Sequence, residues 1–178
     1  ALDAPAALSR VPPTSAASLP VTELYGRLGA QGLDYGPAFR GLQEAWRDGE
    51  DVWARVSLPE KVSARGYGLH PALLDACFHA VALSLGEGHE ELYLPFAVQR
   101  VQVLQEGLAE VWVRVKDLTR GDETVSVTLT LFDGGGAAVA ALEGVQMKRA
   151  DPAALRRAAQ GDAKRMRFGL EWQTVEEL

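Results

Sequence analysis

A chain of 178 residues is long enough for one compact core and too short for two full domains. Hydrophobic residues make up 47% and charged residues 24%, a globular balance, and the net charge of −6 argues against nucleic acid, which selects clustered Lys and Arg. The single cysteine, Cys77, excludes an intrachain disulfide, no apolar run approaches the roughly 20 residues of a membrane span, and the first residues carry no secretory leader, so a cytoplasmic location is expected.

Residues 1–18 are rich in Ala, Pro and Ser and read as a linker. Within residues 19–30, Val21, Leu24, Tyr25 and Leu28 recur at helical spacing, and Gly29 and Gly32 offer a stop. A turn follows at Tyr35-Gly36-Pro37-Ala38-Phe39, where two aromatics flank a Gly-Pro breaker. Residues 41–58 read as a hairpin: Asp48-Gly49 signals a tight turn, and Val52, Ala54 and Val56 then alternate with Trp53, Arg55 and Ser57. The most apolar stretch is residues 70–85. Pro71 fits the first helical position, and the run is apolar nearly all round, which predicts a helix buried in the core, ended by Gly86 and Gly88.

The remainder is strand-like. Val98, Val101 and Val103 lead one segment; Val111, Val113 and Val115 lead the next; Val125, Val127, Leu129 and Leu131 alternate with Ser126, Thr128 and Thr130. After a turn at Asp133-Gly134-Gly135-Gly136, residues 137–148 form a last strand. Four long antiparallel strands wrapped on one buried helix predict an α+β fold. Residues 150–178 read as an exit linker, with Phe168, Leu170 and Trp172 beginning or docking on another element.

Asp75 is the outlier, the only acid in an otherwise apolar helix that also holds His70 and His79. Removal from water favours the protonated form of a carboxyl group, and a protonated acid is what a departing hydroxyl needs. His79 lies four residues on, hence on the same helical face. The blander reading is that Asp75 pairs locally and His79 is a satisfied core histidine. His70 fits an N-terminal cap. Tyr35 and Phe39 line a pocket or simply pack, Leu94-Pro95-Phe96 forms a rigid wall or merely begins a strand, and His89, beside Glu90 and Glu91, reads as solvent-exposed. Three histidines and one cysteine give no zinc set, so no metal site is expected. Gly134-Gly135-Gly136 lies in a hairpin without the Lys of a phosphate loop, and no Gly-x-Ser-x-Gly elbow is present.

Three segments together resemble the dehydratase domains of type I modular polyketide synthases. Tyr35-Gly36-Pro37-Ala38-Phe39 looks like their Tyr-Gly-Pro-x-Phe motif. His70-Pro71-Ala72-Leu73-Leu74-Asp75, with His79 in a place taken by Gln or His, looks like their His-Pro-Ala-Leu-Leu-Asp motif. Leu94-Pro95-Phe96 matches their Leu-Pro-Phe segment. The three occur in the family's order over roughly residues 19–149, and residues 168–173 resemble the start of the structural ketoreductase region that follows in such synthases.

The resemblance implies the second half of a double hot dog, with residues 19–149 as its C-terminal hot-dog subdomain. It implies a catalytic Asp75, positioned by His79, that protonates the departing β-hydroxyl of a 3-hydroxyacyl thioester. It implies substrate contacts at Tyr35, Gly36, Pro37, Phe39, His70, Pro71, Leu94, Pro95 and Phe96. The substrate would ride on the phosphopantetheine of an acyl carrier protein, and the domain would need no cofactor of its own. The implied partners are that carrier protein, an N-terminal hot-dog half and the rest of a homodimeric synthase. The family's catalytic histidine stands in a His-x-x-x-Gly-x-x-x-x-Pro motif, and none of His70, His79 or His89 is followed by Gly and Pro at those positions. The base is therefore expected from another half, and this chain alone is expected to be inactive. A non-catalytic spacer, or a double-bond isomerase or cyclase on the same fold, stays open as an alternative.

Overall fold

A computed structural model of the chain describes residues 7–86 and 91–161. His89 and the segment containing Phe168, Leu170 and Trp172 lie outside the described residues. The order of elements is β1 (Ala17–Leu19), α1 (Leu24–Ala30), a 3-10 turn (Pro37–Phe39), β2 (Leu42–Asp48), β3 (Asp51–Ser57), α2 (Pro71–Ser84), β4 (Leu92–Val103), β5 (Glu110–Arg120), β6 (Thr124–Phe132), β7 (Ala138–Ala150) and α3 (Pro152–Gly161).

The strands form one seven-stranded antiparallel sheet in the order β1-β2-β3-β5-β6-β7-β4. Successive strand residues point to opposite faces, and the apolar sets read from the sequence all land on the face that packs on α2. Val52, Ala54 and Val56 pair with Val115, Val113 and Val111, and all six are buried. Val125, Val127, Leu129 and Leu131 continue the same face and are buried too. Helix α2 lies chiefly on β3, then on β5 and β2. This is the expected α+β arrangement of an antiparallel sheet around a central helix.

Both ends of α2 are satisfied. At its start the His70 Nδ1 accepts from the Ala72 N–H at 3.2 Å, and Pro71 occupies the first turn. At its end Arg47 donates to the Leu83 carbonyl at 2.7 Å and Arg120 to the Leu85 carbonyl at 2.9 Å, two cations on otherwise unmet carbonyls.

Two expectations need correction. Among the described residues the sheet has seven strands, because the β2–β3 hairpin joins the four later strands and β1 extends it. The linker and first helix are also divided differently: Ala17, Ser18 and Leu19 pair with Arg47, Trp46 and Ala45, and α1 begins only at Leu24. Backbone pairing along the open side of β2 organises these three residues whatever their side chains.

The contact of β2 with α2 depends on Gly41. A Cβ there would lie 2.8 Å from the Ser57 carbonyl oxygen and 2.9 Å from the Ala76 Cβ. The first is backbone and the second belongs to α2, one residue beyond Asp75, so neither can swing aside. Gly41→Ala is therefore expected to lower stability by about 1–3 kcal/mol through overpacking. Thermal unfolding checks this, and an unchanged Tm would show that α2 can shift freely.

Candidate active site

Asp75 lies one turn into α2, and the i, i+4 spacing puts His79 above it. Asp75 is not fully buried as expected: its side chain is 33% exposed, while that of His79 is 5% exposed. The exposure is uneven. Asp75 Oδ2 is sealed from solvent, so the open part of the side chain falls on its remaining atoms, Oδ1 among them. His79 Nε2 faces Oδ2 at 3.4 Å. The pair is close enough for an ion-pair contact but too skewed for a hydrogen bond, and neither atom has another hydrogen-bond partner among the described residues. A buried polar atom left unpaired costs about 1–3 kcal/mol, so each has reason to use the other.

Two tyrosines enclose the imidazole. The Tyr35 ring meets it edge-on at 4.4 Å and the Tyr25 ring at 5.5 Å. Burial, and then the nearby Asp75 carboxylate, pushes the Tyr35 phenol up to about 12, so it remains a hydrogen-bond donor at neutral pH. The Tyr25 phenol is also raised, first by burial. Tyr25 is the site residue that sequence reading missed. It occupies a helical apolar position, and only the fold brings its hydroxyl within 3.3 Å of His79 Nδ1. Cys77, on the same helix, is fully buried, and desolvation raises its thiol well above the usual range, which makes it an inert packing residue.

A cavity opens beside this cluster. Tyr35, Asp75 and His79 line it on one side and Leu94 and Pro95 on another, with Leu24, Phe78 and Met147 adding apolar wall. Five of the residues expected at the site thus meet around one space. Six do not line it: Gly36, Pro37, Phe39, His70, Pro71 and Phe96. Gly36, Pro37 and Phe39 are exposed on the 3-10 turn, and His70 and Pro71 serve as helix cap and first turn. Phe96 is 68% exposed because the register shifts between Pro95 and Ala97, which pair with Met147 and Gln146 and leave Phe96 as the extra residue of a bulge. Among the described residues no group of three or more His, Cys, Asp or Glu is placed to hold a metal ion, and no helix is long and apolar enough to cross a membrane.

Comparison with known proteins gives this cluster a context. The family model described as "Polyketide synthase dehydratase N-terminal domain" matches residues 3–157. The chain belongs to the polyketide synthase dehydratase family. The spectinabilin polyketide synthase system protein NorA' of Streptomyces orinoci is 40% identical to this dehydratase chain over 161 residues, 90% of this chain and 4% of that protein. A bifunctional dehydratase-cyclase domain from ambruticin biosynthesis is 35% identical with a TM-score of 0.73, covering 89% of this chain and 58% of that one. The CurK dehydratase, solved as an inactive Asp-to-Asn mutant, is 25% identical with a TM-score of 0.69, covering 78% of this chain and 50% of that one. The sheet-and-helix arrangement is thus the hot-dog fold of polyketide synthase dehydratases, and the chain spans about half the length of these solved domains.

Proposed function

We propose that this dehydratase chain is the acid-bearing, C-terminal half of a double hot dog, and that Asp75 protonates the β-hydroxyl leaving a 3-hydroxyacyl thioester. The paired Asp75 and His79 at the edge of an apolar cavity carry this reading. Oδ2 is held against the imidazole, and Oδ1 is free to face substrate. A histidine from an N-terminal half removes the α-proton, the Cβ–O bond breaks as Asp75 supplies its proton, and the products are an α,β-unsaturated thioester and water. Both groups then exchange protons with solvent to reset. Tyr35 stands beside Asp75 as a neutral donor for the same hydroxyl, and Leu94 and Pro95 wall the acyl chain. The substrate arrives on the phosphopantetheine of an acyl carrier protein within a larger synthase, and no further cofactor takes part.

The matching family model bears the words N-terminal domain. Assignment to the second half rests instead on the residues: the chain carries the aspartate motif and no His-x-x-x-Gly-x-x-x-x-Pro. That the CurK structure is an inactive Asp-to-Asn mutant supports an essential aspartate in such domains. A second reading has one observation behind it. The ambruticin relative is a dehydratase-cyclase, and an acid so placed could also guide a hydroxyl onto the new double bond.

The deciding experiment joins this chain to a dehydratase half bearing the histidine motif and supplies a 3-hydroxyacyl-pantetheine. The joined protein is expected to release the enoyl thioester, while the chain alone gives none. No product from a folded, joined domain would overturn the reading, and a cyclic ether as sole product would favour the cyclase.

A further inference from the structure

Tyr25 has a hydroxyl with two neighbours and one proton. It accepts from the Leu42 N–H at 3.0 Å, and it lies 3.3 Å from His79 Nδ1. A phenol already accepting a backbone N–H has its own O–H left to give, and Nδ1 is the acceptor in reach. Neutral imidazole carries one N–H, so an accepting Nδ1 places that hydrogen on Nε2. Nε2 in turn faces Asp75 Oδ2 at 3.4 Å. With the acid's proton on Oδ1, where the substrate is met, the other tautomer would set an Nε2 lone pair against an unprotonated Oδ2, both atoms sealed from solvent, and an Nδ1–H against an oxygen already accepting from the Leu42 N–H.

We infer that Tyr25 is a positioning residue that fixes His79 as its Nε2–H tautomer, so that the relay from Leu42 through Tyr25 and His79 turns an N–H toward Asp75 Oδ2 at ion-pair distance and leaves Oδ1 for the substrate. Burial keeps the Tyr25 proton in place, since it disfavours the phenolate. The strand, α1 and α2 are thereby joined at one point, and the position of α1 controls the orientation of the acid. The catalytic consequence rests on the function proposed above; the tautomer does not.

Nitrogen NMR of the 178-residue chain with labelled histidine reads the tautomer directly, with the His79 signals assigned by their loss in His79→Gln. In the wild-type chain Nε2 is expected protonated and Nδ1 unprotonated, and Tyr25→Phe is expected to move both shifts toward a mixture. A wild-type Nδ1 that carries the proton would overturn the inference whether or not the variant folds, as would a folded Tyr25→Phe with unmoved shifts. In the domain joined to its histidine-bearing half, Tyr25→Phe is expected to lower kcat about tenfold with KM unchanged, the lower end of the effect of removing the partner that orients a metal-ligating histidine. His79→Gln is expected to lower kcat less than His79→Ala, because its amide oxygen can accept from Tyr25 while its NH₂ turns toward Asp75. A His79→Gln that loses as much as His79→Ala would overturn the orienting role. An inactive wild-type joined domain would count against the proposed function and leave the tautomer as measured.

Discussion

Asp75→Asn in the joined domain is expected to lower kcat by about 10²–10⁴ while KM stays near the wild-type value, the range for losing a positioned general acid. The substitution is close to isosteric. Its carboxamide oxygen can take the place of Oδ2 facing the His79 imidazole, so α2 keeps its packing, and Ala76 and Cys77 beside it stay fully buried. What is lost is a transferable proton, because an amide N–H is far too weak an acid to release one to a departing hydroxyl. Asp75→Ala makes the contrast. It removes the acid and also strips buried Nε2 of the atom it faces, so it should lose similar activity plus about 1–3 kcal/mol of stability. Steady-state appearance of the enoyl thioester, alongside thermal unfolding of each variant, separates the two effects. If Asp75→Asn kept activity within a few-fold, Asp75 would be a structural residue and the non-catalytic reading would take its place.

The parts of this fold legible in the sequence are those written in local periodicity. Val111, Val113 and Val115 announce a strand and its buried face at once, because the pleat repeats every two residues whatever surrounds it. His70-Pro71 announces the start of α2 for an equally local reason, a side-chain acceptor ahead of a residue that needs no N–H partner. The site was only half legible. Asp75 and His79 stand out as polar residues in an apolar helix, and their spacing alone puts them on one face. Tyr25 does not stand out, since an aromatic on a helix reads as packing until the fold brings α1 against α2. Phe96 stands away from the cavity for the opposite reason: its motif is local, but its direction depends on a bulge opposite Met147 and Gln146 that only the paired strand defines. The half-exposed state of Asp75 likewise depends on a cavity whose walls come from α1, α2 and β4.

A charge introduced at Val101 is expected to leave this chain folded and to prevent the joined domain from forming. Among the described residues, strand β4 is twelve residues long and lies at the edge of the sheet, with its partner β7 on one side only. Val98, Val101 and Val103 pair with Val145, Leu142 and Ala140, which are buried, so all three valines lie on the core-facing side of the sheet. Yet Val101 is 54% exposed, and Val98 and Val103 are exposed beside it. A long edge strand with an uncovered apolar row is an aggregation hazard that natural proteins cover. The N-terminal half proposed above would cover it by continuing the sheet. Because Val101 is already exposed here, Val101→Glu should change the stability of the isolated chain by no more than about 0.5 kcal/mol. Against the other half it would bury an unpaired carboxylate at several kcal/mol, and about 2.8 kcal/mol already weakens association 100-fold. The joined domain should then unfold in two transitions instead of one and lose its dehydratase activity, whereas Ala97→Glu, on the opposite face of the same strand, should do less. A single transition with full activity in Val101→Glu would show that the valine row is not where the second half sits.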